Sequence, residues 1–271
     1  MEVSVQQELT KGGWRSCICI IGVEFTERFA FYGMAGNLIT YLTNELGESI
    51  VMAAKNVNAW FGVAALLPLL GAFVADSYLG RFNTILFASI IYVMGLVMLT
   101  VTVSVIPMRF RYFMFFLSIY MATVGAGGHR PCVQTFGADQ FDDDKPEDKK
   151  AKSTFFNWWY FGVCGGSSAA MLILFYIQEN VGWAMGFGIP AFAMAVALLV
   201  FLLGRKSYKR VIPRGSPLTR VLQVFVAACR KRHLTVSMDG HGQYCCEEAE
   251  VGEDMEVQPW SQNHTQTHQF K

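Results

Sequence analysis

The stretch CICIIGVEFTERFAFYGMAGNLITYLT, residues 17–43, is a long apolar run that contains the charged residues Glu24, Glu27 and Arg28. A hydrocarbon core about 30 Å thick needs roughly 20 apolar helical residues to cross it. Charged side chains inside a membrane span are costly, so they face a bundle interior or a water-filled cavity. The run therefore predicts a membrane-spanning helix with one buried, charged face.

Five more apolar runs of similar length follow this one along the chain. They are Val57–Leu79, Asn83–Ile106, Tyr112–Phe136, Thr154–Ile177 and Trp183–Gly204. Hydrophobic residues make up 53% of the chain and charged residues 16%, whereas in soluble domains about a quarter of residues are charged. The pattern predicts an all-α integral membrane protein with six transmembrane helices in residues 17–204, embedded in a lipid bilayer.

The two ends of the chain differ from this apolar middle. Residues 1–16 are polar and lack the apolar region of a signal peptide, so they are assigned to an N-terminal segment outside the membrane. Residues 205–271 are assigned to a linker and a disordered tail, because the chain beyond His233 is polar and acidic. Within the linker, Pro217–Cys229 is apolar but too short to span, which favours a helix on the membrane surface.

Lysine and arginine are distributed unequally between the two sides of the membrane that six spans would create. One side carries twelve: Lys11, Arg15, Arg81, Lys145, Lys149, Lys150, Lys152, Arg205, Lys206, Lys209, Arg210 and Arg214. The other side carries three: Lys55, Arg109 and Arg111. Because loops rich in these residues stay in the cytoplasm, both the N-terminus and the tail are predicted to be cytoplasmic.

The charged residues of the first run are spaced to lie on one helix face. Glu24 precedes Glu27 by three residues and Arg28 by four, and both spacings bring side chains together. Two carboxylates with one guanidinium leave one excess negative charge, and burial favours the protonated form of one carboxyl. Arg130 in the fourth run would make the sum zero, so we expect it to approach one of the two carboxylates. A static ion network that only fixes helix packing is the alternative interpretation.

Two further features of these runs bear on mechanism. Gly71–Arg81 joins the second and third spans, where Asp76 ends a helix, Gly80 permits a tight turn, and Arg81 can pair with Asp76. That pair is either a gating latch between two helices or a plain loop salt bridge of little energetic weight. His129, next to Arg130, is expected to bond a backbone carbonyl or a lipid headgroup.

The fifth run begins with an aromatic stretch, Phe155–Gly162, that is typical of an interfacial belt. Small residues follow, which would let helices approach closely: Gly162, Gly165, Gly166 and Ser167.

The seven cysteines form no CxxC pair and the five histidines are not spaced for zinc, so no metal site is predicted. Without a phosphate loop or a nucleophile elbow, an enzyme is not expected. A net charge of +1 gives no indication of nucleic-acid binding.

Together these motifs resemble the proton-dependent oligopeptide transporter family, most closely its plant nitrate/peptide transporter branch. Glu24–Phe29 resembles the ExxER signature of the family's first helix, and Gly71–Arg81 its form of the major-facilitator loop motif. Phe155–Gly166 resembles the fifth-helix signature, and Phe136–Phe141 is another shared block. The resemblance covers roughly residues 13–230 and implies a major-facilitator fold, with twelve helices in two pseudo-symmetric halves and a substrate site between them.

The resemblance also implies roles for individual residues. Proton coupling falls to Glu24, Glu27, Arg28 and Arg130; the substrate pocket is lined by Phe31, Tyr32 and Cys164; and the gating loop contains Asp76, Gly80 and Arg81. The implied activity is symport of small solutes such as nitrate, peptides or other nitrogenous or anionic metabolites, in a plasma or vacuolar membrane. A proton gradient drives it, with no cofactor.

Three positions depart from the family pattern. Arg130 stands where lysine is usual, and because arginine does not release a proton, the proton must be carried by a glutamate. Phe31 stands where tyrosine is frequent and Cys164 where asparagine is frequent, so two polar groups of the pocket are lost. Both losses weaken the case for peptide recognition.

The length of the chain is a further departure from the family. With 271 residues it stops after six spans and part of a linker, so we expect the N-terminal half of a truncated twelve-helix carrier. The alternative is a transport-incompetent half that associates with full-length carriers. Its expected partners are therefore the bilayer, a small-molecule substrate, and a second half or full-length homologue.

Overall fold

The computed structural model of the chain describes residues 12–142, 144–210, 217–231, 234–238 and 244–248. The chain divides into two compact units, residues 1–218 and 219–271. In the first unit the described residues form a helical bundle, and in the second they form one helix and a two-stranded hairpin.

The helices of the bundle are as follows. They are α1 (Trp14–Ala35), α2 (Leu38–Asn44), α3 (Ile50–Val74), α4 (Arg81–Ser104), α5 (Met108–Ala138), α6 (Pro146–Ala169), α7 (Phe175–Asn180) and α8 (Trp183–Leu203). One π turn, Ala75–Leu79, extends α3, and a second, Ala170–Leu174, joins α6 to α7 into one continuous rod. A 3₁₀ turn, Gly204–Lys206, ends α8. Beyond the bundle lie α9 (Pro217–Lys231), β1 (Leu234–Met238) and β2 (Tyr244–Glu248).

Five helical segments in the described residues are long and apolar enough to cross a membrane. They are Ile50–Leu79, Arg81–Ser104, Met108–Ala138, Pro146–Asn180 and Trp183–Lys206. They correspond to the second to sixth predicted runs. With 22 residues α1 is also long enough, but its charges reduce its apolar character. Because Glu24 and Glu27 are fully buried in protein, these charges do not face lipid, and α1 completes the six-helix half.

The first predicted run is not one continuous helix. α1 ends at Ala35, and α2 begins after a break at Gly36 and Asn37. A Cβ atom on Gly36 would collide with the ring of Phe175 in α7, so the close approach of α7 requires glycine at this position. Periodicity along α1 carries no information on that distant contact, which is why the sequence predicted an uninterrupted span.

Glycines also set the closest contacts between other helices. A Cβ on Gly162 would lie 3.1 Å from Ile21, and one on Gly166 would lie 3.0 Å from the Cβ of Arg28, so α6 packs tightly on α1. A Cβ on Gly125 of α5 would lie 2.5 Å from the backbone nitrogen of Tyr92 in α4. The predicted close approach of the fifth span is confirmed, and these contacts hold α1 and α5 in the positions that bring their charges together.

Strands β1 and β2 are a correction to the expected disordered tail. They pair antiparallel, with Leu234 opposite Glu248 and Met238 opposite Tyr244. The segment Leu234–Met238 alternates apolar and polar residues and contains β-branched side chains, which favour a strand. This short alternation is flanked by more polar residues, so the average composition of the whole tail favours disorder. The expectation for residues 249–271 lies outside the described residues.

Candidate functional site

Glu24, Glu27 and Arg28 of α1 form a contiguous ion network inside the bundle. Arg28 Nη2 lies 2.8 Å from Glu24 Oε1, and Arg28 Nε donates to the same oxygen at 2.9 Å. Arg28 Nε also lies 3.5 Å from Glu27 Oε2. Both carboxylates are completely buried, whereas the Arg28 side chain keeps 16% of its surface exposed. The helical spacing therefore places all three groups on one face, as predicted.

Arg130 of α5 closes the network from the opposite side. Its Nε donates a hydrogen bond of 3.0 Å to Glu27 Oε1, and its side chain is 17% exposed. The contact expected from charge balance is therefore present, and its partner is Glu27. Two carboxylates and two guanidinium groups sum to zero charge.

The network is balanced in charge but not saturated in hydrogen bonds. Within the described residues, Glu24 Oε2, Glu27 Oε2 and Arg130 Nη2 are buried without a hydrogen-bond partner. Buried polar atoms are normally paired, so each unpaired atom marks a place for a proton, a water molecule or a ligand. Glu27 contacts both guanidinium groups, whereas the contacts of Glu24 are to Arg28 alone. Glu24 is thus the carboxyl less constrained to stay ionised.

Arg130 packs on an aromatic column formed by the stacked side chains of Phe31 and Trp60. The guanidinium carbon lies 3.7 Å from the ring centroid of Phe31, a distance suited to a cation–π contact. Phe31 stacks on Trp60 with centroids 5.4 Å apart, and Trp60 Nε1 donates to Thr123 Oγ1 at 2.6 Å. Phe31 is therefore buried beneath a member of the ion network, a contact that the pocket assignment did not foresee. No sequence pattern marked Trp60 or Thr123.

The other two predicted pocket residues lie in different settings. Tyr32 is half-buried and meets Phe31 edge to face, with ring centroids 5.7 Å apart. Cys164 is exposed on α6, directly before the glycines that pack on Phe25 and Arg28 of α1. The structure thus places Tyr32 beside the aromatic column and Cys164 on an uncovered surface of α6.

Two buried polar residues near the network differ from the sequence-based expectation. Tyr92 was not predicted as a site residue, and His129 was expected to bond a carbonyl or a headgroup. Neither ring nitrogen of His129, nor the hydroxyl of Tyr92, has a hydrogen-bond partner among the described residues, and both side chains are fully buried. The carbonyl or headgroup partner expected for His129 is therefore not seen in this part of the chain. The signal that could have drawn attention to Tyr92 is a phenol within a strongly apolar span.

The predicted gating loop is assembled at one end of the bundle. Gly80 adopts φ +75° between the π turn and α4, which confirms the tight turn. Arg81 Nε lies 3.7 Å from Asp76 Oδ1, and Arg81 Nη1 donates to Asp139 Oδ2 at 2.5 Å. Asp139, which follows α5, is the stronger partner and was not assigned to this loop. Its position in the block Phe136–Phe141 was the available signal.

A second junction adjoins this one through Gln140, which is 3% exposed. Its side chain accepts a hydrogen bond from Lys209 N at 2.9 Å and donates to Lys209 O at 3.1 Å. Its carbonyl oxygen accepts from Gly13 N at 2.9 Å, and Gly12 N donates to Ser207 O at 2.8 Å. Gln140 therefore ties the chain entering α1 and the chain leaving α8 to the end of α5.

Tyr208 strengthens the same junction from the apolar side. Its ring stacks on Phe201 at 5.2 Å and meets Phe136 edge to face at 5.4 Å. The side chain is 2% exposed, and this burial raises the pKa of the Tyr208 hydroxyl above its ordinary value. The first residues of the linker are thus packed into the bundle.

An apolar groove of about 490 Å³ runs between α1 and α8 and includes none of the four charged residues. Its walls include Gly22, Thr26, Phe192 and Val196. Among the described residues, no group of three histidine, cysteine, aspartate or glutamate side chains is placed to hold a metal ion. The ion network of α1 and α5 is therefore the candidate functional site.

Three comparisons with known proteins relate this site to a family. The sequence matches the POT family over residues 82–269. It is 48% identical over 245 residues to the NRT1/PTR family 5.4 protein of Arabidopsis thaliana, an alignment covering 90% of this chain and 44% of that protein. It is 55% identical over 236 residues to the NRT1/PTR family 5.10 protein of the same plant, covering 82% and 42%.

Solved structures give the same result. The crystal structure of the POT family transporter PepTSo superposes with a TM-score of 0.69 and 32% sequence identity, over 84% of this chain and 44% of that one. An auto-inhibited POT family peptide transporter superposes with a TM-score of 0.70 and 31% identity, over 84% and 43%. The chain thus spans less than half the length of these relatives.

Proposed function

The chain belongs to the POT family of transporters, and from its ion network we propose that it is the proton-binding half of a proton-coupled symporter of small solutes. Membership in a transporter family confirms the prediction that the chain is not an enzyme, and the fold confirms a multi-pass membrane protein. The observation that carries the proposal is a charge-balanced network in which both carboxylates are fully buried and each has one oxygen without a hydrogen-bond partner among the described residues.

The charge balance of the network suggests how proton and solute are coupled. With both glutamates ionised, each guanidinium is neutralised by a carboxylate. When Glu24 or Glu27 takes a proton, one positive charge in the network becomes uncompensated. Arg28 and Arg130 both keep part of their surface exposed, so the freed charge can attract an anionic group of a solute. Proton binding thus favours solute binding, and by linkage a bound solute favours proton binding to the same extent.

The solute class follows from this scheme at a coarse level. A guanidinium binds planar anions such as nitrate or a carboxylate through paired hydrogen bonds. Nitrate, peptides with their terminal carboxylate, and other nitrogenous or anionic metabolites all fit that requirement. We propose transport across a plasma or vacuolar membrane, with the N-terminus cytoplasmic and a proton gradient as the driving force.

The test uses a completed carrier, in which this chain is continued through the second half of one of the Arabidopsis relatives. Proteoliposomes with an imposed pH gradient are supplied with nitrate, a dipeptide or a small organic anion. Glu24→Gln and Glu27→Gln are each expected to abolish accumulation driven by the gradient. The matched control is Glu179→Gln, the same chemical change at an exposed position of α7, which should transport like the unaltered carrier. Accumulation by Glu27→Gln with unchanged pH dependence would contradict the proposal.

A second candidate function is a half that does not transport alone and associates with full-length carriers. Uneven burial favours it: 17% of the most apolar window of Ile50–Leu79 and 22% of that of Pro146–Asn180 is buried, against 39–44% in the other three apolar spans. The two spans thus present uncovered faces to which a second half could bind. Saturable uptake by the 271-residue chain alone would contradict this function.

A further inference from the structure

Helix α9 carries several large apolar side chains that the described residues of the second unit leave exposed. Four large side chains along it are at least half exposed: Val221 at 50%, Val224 at 68%, Phe225 at 64% and Val226 at 51%. Exposed apolar residues concentrated in one short helix mark a surface that binds something.

The sequence of α9 divides its residues between two sides. With about 100° of rotation per residue, six apolar positions share one side: Leu218, Val221, Leu222, Phe225, Val226 and Cys229. The opposite side holds the polar and basic positions together with one apolar residue, Val224: Thr219, Arg220, Gln223, Arg230 and Lys231. A helix of this kind, with valine, leucine and phenylalanine opposite arginine and lysine, is typical of segments that lie in the plane of a membrane surface.

The charge of this segment identifies the partner. Residues 205–238 contain nine lysine and arginine residues and no aspartate or glutamate. A positively charged juxtamembrane segment is attracted to anionic lipid headgroups, whereas a neutral surface offers no such attraction. The charge thus favours an anionic lipid leaflet over a neutral one or an apolar protein surface.

The short connection between the last apolar span and α9 keeps this helix near the membrane surface. The last apolar span ends at Lys206, and α9 begins at Pro217. The ten intervening residues extend over at most about 36 Å. A helix tethered to a membrane-spanning segment by so short a connection stays at a high effective concentration beside the bilayer.

We propose that α9 binds an anionic lipid leaflet, with Val221 and Phe225 in the acyl boundary and the polar side of the helix toward the headgroups. The leaflet is the one at which the last span ends. This interaction is independent of proton coupling, and it gives the linker a defined place at the membrane. A second copy of the chain or the missing half would be the competing occupants of this face.

Hydrogen exchange of the full chain in lipid nanodiscs tests the proposal. In discs of phosphatidylcholine with phosphatidylserine, the amides of residues 217–231 should exchange about tenfold more slowly than in phosphatidylcholine alone. Phe225→Glu should remove this protection. Gln223→Glu places the same charge on the polar side and is the matched control that should retain most of it. Equal protection in both discs, or equal loss in both variants, would overturn the proposal.

A second measurement separates lipid from protein as the occupant. A nitrobenzoxadiazole label on Cys229, in a chain whose other six cysteines are replaced by alanine, should be quenched by nitroxide-labelled lipids. Protected amides together with an unquenched label would assign the face to a protein partner and overturn the proposal.

Discussion

At the residue scale, Arg130 connects parts of the chain that lie about a hundred positions apart. It bonds to Glu27 and covers the ring of Phe31, both on α1. Charge balance predicted the ionic partner because a buried carboxylate without a counter-charge is costly. The aromatic column of Phe31 and Trp60, with its hydrogen bond to Thr123, was not predictable, since it requires α1, α3 and α5 to be packed before any of its contacts exists.

The ion pair of Arg130 leads to a prediction on stability. Arg130→Met should lower the free energy of unfolding by about 3 kcal/mol, because Glu27 loses its closest counter-charge while buried. The double variant Glu27→Gln, Arg130→Met should lose less than the sum of the two single variants. Thermal unfolding of the detergent-purified chain measures all four proteins. Strictly additive losses would show that the two residues are not coupled.

Glu24 leads to a prediction that distinguishes proton coupling from solute binding. Glu24→Gln imitates the protonated carboxyl, so one positive charge of the network stays uncompensated and can bind an anion. In the completed carrier this variant should still exchange labelled for unlabelled solute across the membrane without a pH gradient, although it no longer accumulates solute. Counterflow assays measure the exchange. If Glu24→Gln lost exchange as well as accumulation, this would contradict a role of Glu24 in proton binding alone.

At the element scale, apolar periodicity predicted that the spans exist but not how they are interrupted. At the break after α1, the ring of Phe175 in α7 occupies the space that a side chain at Gly36 would need, and no local sequence signal reports that contact. The partnership of Arg81 with Asp139 and the role of Gln140 likewise arise only when the ends of α4, α5 and α8 meet. Strand β1 was missed for a different reason, because a short alternation was averaged into a polar tail.

Close packing of α4 on α5 leads to a prediction on helix stability. Gly125→Ala would bring a methyl group within 2.5–2.7 Å of Tyr92 and the carbonyl of Ala88, and overpacking of this kind costs about 1–3 kcal/mol. Gly62→Ala is the matched control: nothing lies within 4 Å of its new methyl group, and helical alanine is favoured over glycine. Thermal unfolding should therefore show a lower midpoint for the first variant only. A midpoint equally unaffected in both would contradict the close packing.

At the scale of the whole molecule, all four charged groups of the ion network belong to this chain, while part of the network remains exposed. Glu24 and Glu27 are fully buried within this chain, yet both arginines keep a partly exposed side. The alignments cover only 42–44% of the length of the two Arabidopsis proteins. We therefore expect this chain to supply the proton site and a second half to supply the opposite wall of the solute site.

Solute-dependent proton flux tests most directly whether transport needs both this chain and a second half. Proteoliposomes containing a pH-sensitive dye are prepared with the 271-residue chain alone and with the completed carrier, and a transported solute is added outside. The interior should acidify on solute addition only with the completed carrier, and Glu27→Gln should abolish the signal. Saturable, solute-dependent acidification by the chain alone, or an undiminished signal with Glu27→Gln, would contradict a proton site that works across two halves.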